Sequence, residues 1–222
     1  MPMHIVKQGE HLSRIANESG FGDPVVIWDA PENADLRQKR RNPDALMPGD
    51  QLFVPERQTK EESGSTDQRH RFRLRGGRLV LRIRLLGFDS QPLPDTPCEL
   101  HVDGNAFPLR TDADGRIEHW IPKPAEDAHL VFNDPQLPFD LIVPIRIGHL
   151  DPIEESSGQR SRLANLGYIS VGDRQGDAEH GEEYADQPLA HAVEEFQCDH
   201  GLAVDGICGP KTQAKLEEIY GC

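Results

Sequence analysis

The residues best able to do chemistry in this 222-residue chain are ten histidines and four cysteines. The histidines (His4, His11, His70, His101, His119, His129, His149, His180, His191 and His200) are scattered. None forms the His-Glu-x-x-His pair that puts two imidazoles on one helix face for zinc, and no Gly-x-Ser-x-Gly elbow raises a serine. Four cysteines are too few for a disulfide scaffold. Cys198, Cys208 and Cys222 fall in the last 25 residues with His200 among them. A metal site there would use all four side chains, but Cys-x-His with two distant cysteines is not zinc-finger or ribbon spacing. A Cys208–Cys222 disulfide and ordinary reduced thiols are the other readings, and reduced thiols are favoured. Cys98 lies in a strand pattern and becomes a nucleophile only if folding brings it a base. No paired carboxylates stand where one would be raised. These residues predict no catalytic site, no metal and no cofactor, so binding is the expected activity.

The totals agree with small, wet modules. Hydrophobic residues make up 36% and charged residues 28%, and eighteen prolines and twenty glycines favour short elements and many turns. A formal charge of -14 argues against non-specific nucleic-acid or anionic-membrane binding. No apolar run reaches the ~18 residues a membrane span needs. Met1 to Lys7 pass straight into a strand without the basic, apolar and small-residue regions of a signal peptide, so if the product acts outside the cytoplasm a route other than the general one is expected to carry it.

Residues 1–56 read as strand, two helices and strand. His4 to Lys7 is the first strand, Gln8-Gly9-Glu10 a turn, and His11 to Glu18 a helix with Leu12, Ile15 and Ala16 on one face. A second helix starts at Asp23 or Pro24 and turns Val26 and Ile27 inward. Gln51 to Pro55 closes the module. The stretch Val6 to Ala16, then Asn42-Pro43, Leu46, Pro48-Gly49-Asp50-Gln51-Leu52 and Val54-Pro55, resembles a LysM module. That resemblance implies a groove for N-acetylglucosamine-containing chains. Its walls would be Gly9, Glu10, His11 and Leu12 facing Asn42, Pro43, Leu46, Met47 and Pro48. The intervening run Asp35 to Arg41 mixes one acid with four bases, which reads as a solvated face or a dock for an acidic partner.

Residues 57–70 form a polar linker that cannot bury enough surface to offset its ordering cost. Residues 71–150 predict a small antiparallel β-sandwich. Leu79, Leu81, Ile83 and Leu85 alternate with Arg78, Arg82 and Arg84, and seven arginines fall from Arg69 to Arg84. Charges on the wet face of a strand explain them better than a polyanion site does. Further strands are expected around Cys98 to Val102, Ala106 to Thr111, Arg116 to Ile121, His129 to Asn133 and Phe139 to Ile147. Asp112-Ala113-Asp114-Gly115 lacks the ligand ladder of a calcium loop and reads as a hairpin turn. The run from Gly87 to Cys98 and that from Thr111 to Pro122 resemble transthyretin-like domains.

Residues 151–222 predict three helices: Gln159 to Asn165, Leu189 to Phe196 and Thr212 to Tyr220. Gly201 stands where a helix ending in the left-handed region favours glycine. Leu202 and Val204 alternate toward a core, Asp205-Gly206 is a turn pair, and Gly209-Pro210 restarts the chain as a helix. Phe196-Gln197, Gly201-Leu202, Asp205-Gly206 and Gly209-Pro210-Lys211-Thr212, with Arg162-Leu163 and Leu166-Gly167-Tyr168, resemble the peptidoglycan-binding-like three-helix domains. A longer loop, Gly172 to Asp186, precedes the second helix here.

The fold class expected is therefore α+β multidomain: a βααβ LysM module, a β-sandwich and a three-helix peptidoglycan-binding-like domain. The resemblances imply a non-catalytic protein that binds peptidoglycan. The module order also resembles proteins of bacterial contractile injection systems such as type VI secretion. That likeness implies synthesis in the cytoplasm, delivery to the periplasm or outside the cell, and spike, baseplate or effector proteins as partners. A purely structural docking adaptor and a wall-degrading effector are the competing readings.

Overall fold

Two polar side chains decide how the N-terminal segment closes. The computed structural model describes residues 3–57, 63–69, 79–87, 91–132, 141–169 and 187–221. His70, Arg71, Arg73, Arg75, Arg78, the turn at Asp134-Pro135, the loop from Gly172 to Asp186 with His180, and Cys222 lie outside the described residues, as do residues 58–62 of the linker. Strand β1, Met3–Ile5, pairs antiparallel with β2, Gln51–Phe53, placing His4 opposite Leu52. Between them run α1 (Leu12–Glu18), α2 (Val25–Trp28), a 3-10 turn (Pro31–Asn33) and α3 (Ala34–Lys39). His11, in extended conformation, precedes α1, whose Leu12, Ile15 and Ala16 are buried as their spacing predicts. In the short α2 only Ile27 is buried. Val26, expected to face inward, is exposed, because four residues make barely one turn and offer one inward position. Buried Asn33 holds the closing strand. Its Nδ2 donates to Ile27 O at 2.7 Å and Phe53 O at 2.9 Å, and its Oδ1 accepts from Phe53 N at 2.7 Å. The second polar tie is Glu10, described below with the site.

The central segment forms small antiparallel sheets. Strand β3, Leu79–Arg84, pairs with β6, Arg116–Ile121. Strands β4 (Pro97–Val102), β5 (Asn105–Arg110), β7 (Asp127–Phe132) and β8 (Leu141–Arg146) make a second sheet in the order β5-β4-β7-β8. Both sheets contribute to one core, with Leu100, Val102, Ile117, Ile121 and Leu130 buried and Leu79, Leu81, Ile83 and Leu85 packed against it. Arg82 and Arg84 lie on the wet face. Arg82 faces Glu118 at 3.4 Å, and Arg84 Nε donates to Asp114 O at 3.2 Å. Asp112 Oδ1 accepts from Asp114 N and Arg116 N at 2.9 and 2.8 Å, which makes this acidic run a hairpin turn.

Contacts divide the chain into two compact units: Met1–Leu36 with Pro48–His149, and Arg37–Met47 with Leu150–Cys222. In the first, Arg14 Nη2 pairs with Glu126 at 2.6 Å, and buried Lys123 donates to Gly22 O at 2.9 Å. The second is helical: α4 (Ser156–Asn165), α5 (Gln187–Asp199) and α6 (Pro210–Tyr220). Leu163, Phe196 and Leu216 are fully buried, with Ile153, Ala192 and Val193 around them. Ala214 is exposed, because the α6 stripe runs through Thr212, Leu216 and Ile219. Buried Arg162 donates through Nη1 to Asp151 O and Gly158 O at 2.8 and 2.9 Å, and its guanidinium lies over the Tyr220 ring. Two bases of the run from Asp35 to Arg41 have acidic partners within the same unit. Arg40, 2% exposed, donates to Glu155 at 2.7 Å, and Arg41 donates to Glu154 at 3.0 Å.

Gly158 sits inside α4 where alanine would ordinarily favour the helix by ~1 kcal/mol. A Cβ there would fall 2.0 Å from Pro152 O and 2.5 Å from Asp151 O, both rigid backbone atoms. Gly158→Ala should therefore destabilise the unit by about 1–3 kcal/mol, seen as a lower urea midpoint at unchanged slope. A gain in stability would contradict this packing.

Candidate functional site

The link from α5 to α6 in the helical unit is exposed and densely hydrogen-bonded. Gln197, 1% exposed on the last turn of α5, supplies its frame. The Nε2 protons are shared among Asp205 Oδ1 at 2.8 Å, Thr212 Oγ1 at 3.0 Å and Ile207 O at 3.1 Å. Oε1 accepts from Asp205 N at 3.0 Å and Gly206 N at 3.1 Å. One buried amide thus satisfies loop backbone on both sides and the first turn of α6. Gly201 and Gly206 take φ of 65° and 67°, which only glycine adopts without cost. Leu202 N returns to Gln197 O at 2.8 Å, so α5 ends as its Gly201 predicts.

Leu202 packs on the core. Val204, expected to follow it inward, is instead 57% exposed, and Ile207 is 66% exposed. Strand-like alternation fails here because Asp205 Oδ1 accepts from Ile207 N at 2.9 Å and curls the chain. The loop's hydrogen bonds to Asp205 hold its carboxyl below the ordinary range, chiefly that from Ile207 N. Nearby, Tyr168 Oη donates to Asp199 Oδ2 at 3.0 Å, and its ring meets Phe196 edge-on. Burial, then the Asp199 bond and the charges of Asp199 and Glu195, push the Tyr168 phenol up to about 12. It remains a neutral donor at any physiological pH.

The residues expected to wall a glycan groove are placed as follows. Gly9 has a φ of 83°, and the space its side chain would take is filled by the His149 ring, with Nε2 2.9 Å from that point. Gly148 lies against Gly9 O and the His11 ring. His11 and Leu12 are buried. Glu10 Oε2 bonds His4 Nε2 at 2.6 Å and accepts from Lys7 N at 2.9 Å, so it closes its own turn. These four and exposed Pro48 belong to the first unit. Asn42, Pro43, Leu46 and Met47 belong to the second. Asn42 Oδ1 accepts from Asp44 N at 2.9 Å, Leu46 is buried, and Pro43 and Met47 are half-buried. Burial of Gly9 by residues 148 and 149 had no signal in the local pattern.

Burial pushes the Cys98 thiol up, and pushes Cys208 to about 11 against the opposing charge of Arg162. Cys198 is exposed and free. Among the described residues no group of three or more His, Cys, Asp or Glu side chains is arranged to hold a metal ion. No described helix is long and apolar enough to cross a membrane.

Residues 160–216 match the family described as "Putative peptidoglycan binding domain". The match runs from α4 through the loop framed by Gln197 to Leu216 of α6. No curated protein and no solved structure matches the chain. The chain thus carries a peptidoglycan-binding domain, a class of binding module, in its helical C-terminal region.

Two variants test these roles. Gln197→Leu keeps the volume but strips the amide from buried partners. It should cost about 2–4 kcal/mol, read by chemical denaturation. A loss within error of zero would show the loop to be held otherwise. Burial pushes the Glu10 carboxyl up, but the Lys7 N–H, the His4 bond and the charges of His4 and Lys7 outweigh it, leaving it below the ordinary range. The ionised form therefore stabilises the fold above the usual glutamate pKa of ~4.3 and loses this as pH falls through the lowered value. The stability gap between wild type and Glu10→Gln should be full at neutral pH and close in that acid range. A pH-independent gap would contradict the assignment.

Proposed function

We propose that this chain is a non-catalytic peptidoglycan-binding protein that holds cell-wall material through its C-terminal helical unit. The observation that carries this is the coincidence of the matched stretch, residues 160–216, with a loop hydrogen-bonded to Gln197 that displays Val204 and Ile207 to solvent. Preorganised loops bind at low ordering cost. The raised thiols of Cys98 and Cys208 fit a binding role better than a nucleophilic one.

A second reading concerns the N-terminal, LysM-like module: it works as a protein dock. Packing of Gly148 and His149 on Gly9 and His11 favours it, because those positions already serve a protein contact. The protein would then act as a component or cargo adaptor of a contractile injection system. Wall binding would come from one end, spike, baseplate or effector contacts from the other, and delivery to the periplasm or beyond from the apparatus itself. This part rests on module order alone.

The full-length protein should sediment with purified, protein-free peptidoglycan sacculi and leave their turbidity unchanged. Pro48→Asp, an exposed position of the expected N-terminal groove, should sediment equally. Protein remaining wholly in the supernatant would overturn the binding reading, and falling turbidity would overturn the non-catalytic one.

A further inference from the structure

We propose that the loop between α5 and α6 recognises the peptide stems of peptidoglycan and not its sugar backbone. The inference rests on the binding reading above and adds which part of the polymer is held. Residues 201–209 contain no aromatic side chain, so the loop itself has no ring to stack on a pyranose face. Its outward groups are the branched aliphatics Val204 and Ile207, 57% and 66% exposed. Gln197 fixes the backbone that displays them, so their exposure is built in. Aliphatic groups of this size suit the methyls of an alanine-rich peptide.

The charges around the loop point the same way. Asp205 is exposed, and the bonds it makes use Oδ1. Glu194 of α5 lies against Gly206: a Cβ built there would stand 3.2 Å from its Oε1. His191 Nδ1 is 3.4 Å from the other Glu194 oxygen. Lys211 is an exposed cation on the first turn of α6, next in sequence to Thr212, which Gln197 ties to the loop. In intact wall the lactyl carboxyl of each muramic acid is tied up as an amide to its stem, so the glycan strand itself carries little charge. A stem peptide carries both a free amine, on its diamino acid, and terminal carboxylate. Carboxylates at Asp205 and Glu194 pair with the amine, and Lys211 with the carboxylate, while Val204 and Ile207 cover the methyls.

The test uses the full-length protein and three probes: intact sacculi, sacculi stripped of stems by an amidase, and a soluble alanine- and diaminopimelate-containing stem peptide. Retention on stripped glycan should fall by about tenfold, and the soluble peptide should compete with intact wall. Ile207→Asp, a change at an exposed side chain, should lose about tenfold in retention while its thermal midpoint and circular dichroism match wild type. Should that variant unfold, Val204→Ser with the same controls takes its place, with a smaller loss expected. Equal retention on stripped and intact sacculi overturns the stem-peptide assignment and leaves the binding reading standing. Undiminished retention by a folded loop variant also overturns it. No retention on intact sacculi overturns both.

Discussion

A single buried carboxamide governs the helical unit. Gln197 is out of water on the last turn of α5, and an amide so placed costs about 1–3 kcal/mol for each hydrogen-bonding group left unmade. The loop from Gly201 to Pro210 is folded to meet that demand. It brings Asp205 N and Gly206 N to the oxygen, and Asp205 Oδ1, Ile207 O and Thr212 Oγ1 to the nitrogen. Once those contacts exist, the start of α6 is fixed and Val204 and Ile207 have no route inward. Exposure of two large aliphatic side chains is thus a consequence of the same interaction that stabilises the fold. The domain's display surface and its stability are one structure.

Polar ties recur wherever short elements could not close alone. Asn33 links a 3-10 turn to β2, Glu10 holds the turn after β1, and Arg162 gathers Asp151, Gly158 and the Tyr220 ring. Arg40 follows the same rule. A guanidinium so buried needs a carboxylate, and Glu155 supplies one from a partly exposed position. Residues 37–47 therefore act as part of the helical unit, although the matched family stretch begins only at residue 160.

Local chemistry made much of this legible in the sequence. Gly201, Asp205-Gly206 and Gly209-Pro210 announce a helix end, a turn and a restart because each acts on its own backbone. The alternation of Leu79, Leu81, Ile83 and Leu85 likewise marks the inner face of β3. What local patterns missed depends on partners far along the chain. Arg40 meets Glu155 across 115 positions, and Gln8 meets His149 across 141. The same separation hid the residues that cover Gly9. Val204 was misread for a different reason: its neighbours alternate as a strand would, while the Asp205 side chain bends the backbone. The matched domain was legible because its motif is a set of turn and cap residues at fixed offsets. The groove expected near the N-terminus came from a family resemblance carried over by position; around it, Gly9 packs against His149 and the Glu10 carboxylate bonds His4.

The central claim, that wall recognition belongs to the loop framed by Gln197, is tested most directly by amide chemical-shift mapping. The isotope-labelled full-length protein would be titrated with soluble peptidoglycan fragments carrying both sugar and stem. The account predicts saturable shifts concentrated in residues 201–212, with little change in residues 3–57. Shifts confined to residues 3–57, or none while the fragments still bind, would contradict it.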